Sequence, residues 1–196
     1  KPPNKTKMET TPEIKKLPSL PDLVGDEVDV FKNDQLNLLL NQNVPEGWVK
    51  KHPFIKVTTE VAGQKITEQL LYITIQRVDT LLTAIFQEWK VEVMDSGQLF
   101  NSVYVHARLH YKSPLDGTWK FHDGLGAVGV QTDKGAAASD LNAIKQDAVM
   151  KALPAAKSYA IKDAAEHLGK LFGRDLNKND VVDFTPKYFT KWNQPE

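Results

Sequence analysis

The chain has 196 residues, which is enough for one domain with a sizeable core but too few for two independent domains. Its 25 lysines and arginines balance 25 aspartates and glutamates, so the overall charge favours neither a nucleic-acid nor a membrane partner. The lack of cysteine excludes disulfides, a thiolate nucleophile and cysteine-ligated zinc. Without a long apolar run or a signal peptide, the expectation is a soluble, cytoplasmic protein that does not bind membranes.

The charge is nevertheless unevenly distributed along the chain. Residues 1–16 contain five lysines and two glutamates, whereas residues 17–46 contain one lysine and six acidic residues, and residues 141–174 have a net charge of +3. Segregated charge of this kind suits an oriented binding surface or self-association. Residues 1–22 also contain five prolines and few large apolar side chains, which predicts a disordered or arm-like tail.

The first predicted element is a short helix that begins at Asn33 or Asp34 and ends at the turn over 44–47. A basic connecting segment follows Trp48 and consists of Lys50, Lys51 and His52. An aromatic ring beside cations can hold a phosphate backbone, although Trp48 can equally fill the core with solvated lysines at its edge.

A core helix is predicted after an extended stretch and turn over 55–65. It has apolar residues at helical spacing, namely Val78, Leu81, Leu82, Ile85, Phe86 and Trp89. Arg77 lies near the start of this helix. The aromatic residues at this spacing indicate packing rather than a cofactor site.

Three antiparallel strands are predicted next, over 90–94, 101–112 and 119–122. The second strand alternates between an apolar face and an aromatic, basic face, the latter formed by Tyr104, His106, Arg108, His110 and Lys112. Trp119 and Phe121 share one side of the third strand. A link rich in glycine and alanine follows over 124–138.

Two helical stretches close the predicted domain. The first runs from Ser139 or Asp140 to Leu153, where Pro154 breaks or kinks it. The second, over 154–176, has a narrow apolar stripe of Ile161, Ala164, Ala165, Leu168, Leu171 and Phe172. Its opposite side has Lys162, Glu166 and Lys170 at steps of four, with His167 beside them and Arg174 past Gly173. These charges alone fit a solvated helix surface better than a binding face.

The predicted fold class is therefore α+β, with a three-stranded antiparallel β-meander between a core helix and a long basic helix.

Motifs for catalysis are weak. Residues 124–129 spell GxGxxG, but a dinucleotide site needs this spacing between a strand and a helix, and here an antiparallel strand precedes a loop. Neither a P-loop nor a nucleophile elbow occurs. Sheet residues His106, His110, His122 and Asp123 lack the spacing of common metal motifs. We therefore expect no catalytic residue, no metal and no cofactor.

A series of short motifs carries a resemblance to a known family. They are Gly63-Gln64-Lys65, Tyr72-Ile73, Gln76-Arg77-Val78, Phe86 with Trp89, His122-Asp123-Gly124-Leu125-Gly126, and the run from Ala160 to Gly173. Their order over residues 34–178 resembles the DNA-binding domain of the Rad-fifty-two superfamily of single-strand annealing proteins, which includes phage recombinases such as Sak. The resemblance implies a single-strand annealing domain over 23–178, followed by a C-terminal extension over 179–196.

The resemblance also implies positions for DNA contacts. The family's inner groove implies contacts from Lys51 or His52, from His167 and from Lys170, and its outer site implies Lys112 and Lys134. Glu166 stands where the family typically has a lysine, and its carboxylate would repel phosphate unless a lysine offsets it. The contacts are then expected to move to Lys162, Lys170 and Arg174. The complete predicted set is Lys50, Lys51, His52, Arg77, Arg108, Lys112, Lys134, Lys162, His167, Lys170 and Arg174.

The expected function is ATP-independent binding of single-stranded DNA and its annealing to a complementary strand in homologous recombination or repair. The resemblance implies a homo-oligomeric ring or filament, associated with the nucleoid of a bacterial or phage-infected cell, with a single-strand-binding protein as a further partner. Two alternatives remain open. One is a metal-dependent nuclease or hydrolase that uses the sheet histidines, and the other is an assembly protein that binds another protein through Tyr188, Phe189 and Trp192.

Overall fold

The computed structural model describes residues 27–61, 64–137 and 139–178. The predicted tail over 1–22 and the extension over 179–196, with its three aromatic residues, lie outside these residues. In the part of the chain that is described, no helix has the length and apolar character needed to cross a membrane.

Helices and strands of the described chain form an α+β fold. In chain order they are α1 (Glu27–Leu40), β1 (Lys50–Val61), β2 (Gln64–Tyr72), α2 (Ile75–Phe86), β3 (Trp89–Leu99), β4 (Ser102–Lys112), β5 (Trp119–Gly129) and α3 (Ala148–Glu166). Strands β3, β4 and β5 form an antiparallel meander, and β1 and β2 form a separate antiparallel hairpin. The predicted fold class, a meander packed with a core helix before it and a long helix after it, is confirmed.

Strand β4 lies at the centre of the meander and separates the core from an open face. The predicted apolar face is buried, and it consists of Val103, Val105, Ala107, Leu109 and Tyr111. The alternate residues are half-buried on the opposite face, as expected from the two-residue period of a strand. The main core joins this sheet to α2 and the segment after α3, where the largest fully buried side chains are Phe172, Leu82, Leu109 and Val78.

Helix α3 packs unusually close to β5 because both elements have small residues at their contact. Four buried alanines repeat every four residues along α3, namely Ala152, Ala156, Ala160 and Ala164. A Cβ added at Gly124 would overlap the carbonyl oxygen of Ala160, and one added at Gly126 would overlap that of Ala156. The GxGxxG motif therefore belongs to a strand and permits helix packing, so the predicted link at 124–138 is wrong up to Gly129.

The N-terminal half differs from the prediction in three places. Helix α1 begins at Glu27, ahead of the predicted caps Asn33 and Asp34. The predicted basic loop is wrong because Lys50–His52 begin strand β1, and the partner strand β2 was not expected at all. Trp89 is the first residue of β3 rather than the last turn of the core helix, which ends at Phe86.

The predicted helix boundaries near Pro154 are also wrong. The segment after residue 139 forms only a 3-10 turn over Leu141–Ala143, and α3 begins at Ala148 and continues through Pro154. Proline lacks the N–H that would bond the carbonyl of Met150. Both residues are exposed, so water can satisfy that carbonyl and the helix continues.

Candidate nucleic-acid interface

A groove runs between the β1–β2 hairpin and α3, and we call it the hairpin groove. It encloses about 240 Å³, and its lining includes His52, Tyr72, Tyr159, Lys162 and Glu166. His52 Nε2 lies 3.3 Å from the hydroxyl oxygen of Tyr159, and the His52 ring lies 5.9 Å from the Tyr72 ring. The first contact connects the hairpin to α3 across the groove, and the second lies within the hairpin.

Local sequence explains why these side chains meet. Tyr159, Lys162 and Glu166 follow each other at steps of three and four, so they lie on one face of α3. On the hairpin, Lys50 pairs with Tyr72, and residues directly opposite each other share a face of the ladder. The register of the ladder shifts between Lys51 and Lys56. Pro53 lies in this interval and cannot donate a ladder hydrogen bond, which accounts for the irregularity.

Lys162 is held in the groove by two aromatic rings. Its ammonium nitrogen lies 4.5 Å from the ring centroid of Tyr159 and 5.0 Å from that of Tyr72. Burial lowers the pKa of Lys162, whereas the nearby carboxylate of Glu166 raises it. A cation over an aromatic face recovers part of the hydration that it loses on burial, so the arrangement keeps a positive charge at the floor of the groove.

Glu166 lies four residues after Lys162, and its carboxylate opposes the positive charge of Lys162 in the groove. Burial raises the pKa of Glu166 to about 7, the charges of Asp163 and Asp175 add to this rise, and Lys178 and Lys162 oppose it. Glu166 therefore changes its charge near neutral pH, and the groove becomes more positive when it is protonated.

The edges of the groove are fixed by two backbone contacts. The amide side chain of Asn177 accepts from the N–H of Leu71 and donates to its carbonyl, both at 2.8 Å, so it binds the edge of β2 as a further strand would. The N–H of Leu125 donates to the carboxylate of Asp163 at 2.9 Å, which ties β5 to α3. Asn177 is therefore fixed on β2 at one edge of the groove, and β5 is fixed on α3 at the other.

Several predicted DNA contacts lie at the hairpin. Lys50 and Lys51 are exposed on β1, immediately before His52. The guanidinium of Arg77 lies 4.6 Å from the ring of Trp48, which is half-buried against the main core. Trp48 thus packs against the core, which was one of its two predicted roles, and also supports the guanidinium of Arg77. Its contact with a phosphate backbone stays a prediction. The structure brings His52 together with Lys162 in the groove lining, whereas Lys50 and Lys51 precede it on β1 outside that lining.

Three other predicted residues do not join the groove. Lys170 is only 6% exposed, in a 3-10 turn over Lys170–Phe172, so the expectation that it shares an exposed helical face with Lys162 is wrong. Arg174 donates to the Asn41 side chain at 2.9 Å and thereby ties the end of α1. His167 is exposed but stacks on His122 at 5.4 Å, and His122 lies outside the groove lining.

The predicted outer site is not assembled within one chain. Lys112 donates to the carboxylate of Glu88 at 2.6 Å, at the end of β4 that pairs with Trp119. Lys134 is exposed in the turn that follows the opposite end of β5. The strand between these two ends has 11 residues, which at about 3.3 Å per residue places the ends about 30 Å apart.

The remaining predicted cation, Arg108, lies on the open sheet face and is already paired. It donates two hydrogen bonds to Asp123, at 2.6 and 2.8 Å, and its guanidinium lies 4.2 Å from the Phe121 ring. The hydrogen bond from Arg108 lowers the pKa of Asp123 to about 2. The positive charge of Arg108 is therefore balanced locally.

The sheet histidines are engaged in separate contacts. His106 lies 3.6 Å from Asp123, and His110 lies 3.0 Å from Glu92. His122 lies 3.1 Å from the hydroxyl oxygen of Tyr111, and burial lowers the pKa of His122. Across the described residues, no three histidine or acidic side chains converge as metal ligands would.

Two groove residues were missed as site residues from the sequence. Tyr159 precedes Lys162 by three residues, and this spacing was a usable signal for a ring beside the cation. Asn177 carried no such signal because its contact with Leu71 joins positions 106 apart. Tyr72 stands out in the sequence only as part of the Tyr72-Ile73 motif.

Comparisons with known proteins add no further assignment. The chain matches no protein-family model, and a search of curated proteins finds no significant match. The resemblance to single-strand annealing proteins therefore stays a prediction.

Proposed function

We propose that this chain binds single-stranded DNA in the hairpin groove and anneals it to a complementary strand without ATP, as part of a homo-oligomer. The observation that carries the proposal is the contact of Lys162 with the rings of Tyr72 and Tyr159, in a groove that His52 also lines. Proteins that bind single strands regardless of sequence combine a positive groove with aromatic rings on which bases stack.

The charge pattern supports phosphate binding rather than base recognition. Lys50, Lys51 and Lys162 supply positive charge along the hairpin and the groove floor. Contacts of this kind are independent of sequence and leave base edges free to pair with a second strand. Glu166 limits the affinity when it is ionised, so the proposed complex forms more tightly when this carboxyl group is neutral.

The test is a fluorescence anisotropy titration with a labelled single strand of about 40 nucleotides at increasing salt, followed by addition of the complement. Wild-type protein is expected to bind tightly at low salt and to accelerate duplex formation without ATP or metal. Each neutralised phosphate contributes about −0.7 to the slope of log affinity against log salt for single strands.

Lys162→Glu provides the site-specific variant. It should lower affinity by about tenfold or more, because a lost cationic contact is worth roughly 1–2 kcal/mol and the new carboxylate repels phosphate. Lys157→Glu is the matched control, since it makes the same charge change at an exposed position of α3 outside the groove lining. Equal losses in both variants would reject the groove as the site, and no binding by wild type at low salt would reject the function.

A further inference from the structure

The hairpin between β3 and β4 presents an aromatic residue in an unfavourable conformation. Phe100 follows Leu99 at the tip, has a positive φ of 53°, and is 87% exposed. Leu99 is also exposed, at 59%. A side chain other than glycine or asparagine at positive φ costs roughly 1 kcal/mol or more, and an exposed ring gains little from its own chain in return. This tip is therefore shaped for a contact outside the chain.

A cavity with a mixed apolar and polar lining lies at the opposite end of the same sheet, and we call it the end cavity. Its apolar side comes from α1, the core and the loop after β4, and includes Leu36, Leu40, Phe86, Tyr111, Leu115 and Leu168. Its polar side consists of Asn33, Asn37, Ser113, Lys120 and His122. Its volume is about 190 Å³. That is below the roughly 300 Å³ at which small-molecule pockets begin, yet an apolar cavity of about 150 Å³ already accommodates benzene. The end cavity therefore has room for one phenyl ring.

Phe100 cannot fill the end cavity of its own chain. Ser102 begins β4 next to the tip, and Tyr111, near the other end of β4, lines the cavity. Nine residues at about 3.3 Å each separate them by about 30 Å. A ring at one end and a matching cavity at the other can meet only between two copies of the chain.

We propose that Phe100 of one copy inserts into the end cavity of the next copy. Such a contact joins two different surfaces, so it repeats from copy to copy and generates a ring if the rotation closes or a filament if it does not. This inference deepens the proposed function, because it supplies an interface for the proposed oligomer. The observations from which the interface is inferred do not involve DNA. The partner in this contact is a second copy of the chain.

The test is sedimentation velocity of the full chain over a range of concentrations, with two variants. Phe100→Asn removes the ring with a residue that tolerates positive φ, so its melting temperature should not fall. Leu115→Arg blocks the cavity at a partly exposed position. Wild type should form species much larger than 22.0 kDa, and each variant should sediment as a monomer. Ile66→Ser, at an exposed apolar residue of the β1–β2 hairpin, should keep the wild-type mass.

Mixing the two variants tests the head-to-tail arrangement directly. Phe100→Asn retains an open cavity and Leu115→Arg retains the ring, so the mixture should form dimers of twice the 22.0 kDa chain and nothing larger. Monomeric wild type, variants that keep the wild-type mass, or a mixture that stays monomeric would each overturn the proposal.

Strand binding separates this proposal from the proposed function. Monomeric Phe100→Asn keeps the hairpin groove, so it should still bind a short oligonucleotide, while accelerated annealing of long strands is lost. If wild type assembles as described but does not bind DNA, the interface stands and the annealing function fails. If wild type binds and anneals DNA but Phe100→Asn keeps its mass, the function stands and this interface is wrong.

Discussion

Replacing Glu166 by glutamine should remove a pH dependence from strand binding. The carboxyl group lies in the hairpin groove four residues after Lys162, and its pKa is raised to about 7, mainly by burial. Above this pH the group is a carboxylate that opposes a bound phosphate, and below it the group is neutral. Strand affinity should therefore fall as the pH rises through 7.

The size of the effect follows from the fraction of neutral Glu166. If only the neutral form accepts a phosphate, the competent fraction falls from about nine-tenths at pH 6 to about one-tenth at pH 8 for a pKa near 7. The affinity of wild type should then drop by about tenfold, which corresponds to about 1.4 kcal/mol. Glu166→Gln should bind at both pH values as wild type does at about pH 6.

The assay is the anisotropy titration at constant ionic strength and at several pH values between about 6 and 8. Glu68→Gln is the matched control, because it makes the same change at an exposed position of β2. His52→Gln isolates the contribution of the imidazole that also lines the groove. The reasoning is refuted if Glu166→Gln retains the tenfold pH dependence while His52→Gln abolishes it.

Stability of the free protein offers an independent readout of the same group. Its pKa rises from 4.5 to about 7 on folding, so the stability that neutral Glu166 contributes is fully present below about pH 4.5 and is lost as the pH rises through 7. Glu166→Gln should therefore raise the melting temperature at pH 8, by about 3 °C for roughly 1 kcal/mol after solvent screening, and the gain should shrink towards pH 5.

Two further substitutions test the packing. Gly126→Ala should destabilise the chain by roughly 1–3 kcal/mol, because the new methyl group overlaps the α3 backbone, whereas Gly129→Ala on the same strand meets nothing within 4 Å and should leave the thermal melt unchanged. Lys170→Glu should destabilise the fold by about 3 kcal/mol or more and lower the melting temperature accordingly, because it places a buried carboxylate in the cavity that Asp175 also lines. A Lys170→Glu protein with a normal melt and a specific loss of DNA binding would contradict the buried placement.

The meander could be predicted because its sequence pattern has a direct physical cause. Apolar and polar residues alternate along β4, and the two-residue period of a strand sends them to opposite faces. The β1–β2 hairpin lacks such a pattern. Pro53 interrupts β1, the register shifts beside it, and several exposed residues on both strands remove the apolar signal. The hairpin forms one wall of the groove, so the site was only partly visible in the sequence.

The placement of the predicted cations depended on where the last helix ends. Regular spacing from Lys162 to Lys170 indicates one helical face only if the helix continues to Gly173, where the sequence predicts its end. The structure ends α3 at Glu166, and Gly169 adopts a φ of 151° with its Cα against the backbone of Leu40, where any Cβ would overlap. Only glycine fits that position, so the chain turns there and carries Lys170 into the interior. Under the proposed function, phosphate contacts in the groove therefore come from Lys162 and not from Lys170, which is why exchanging Lys162 tests that proposal.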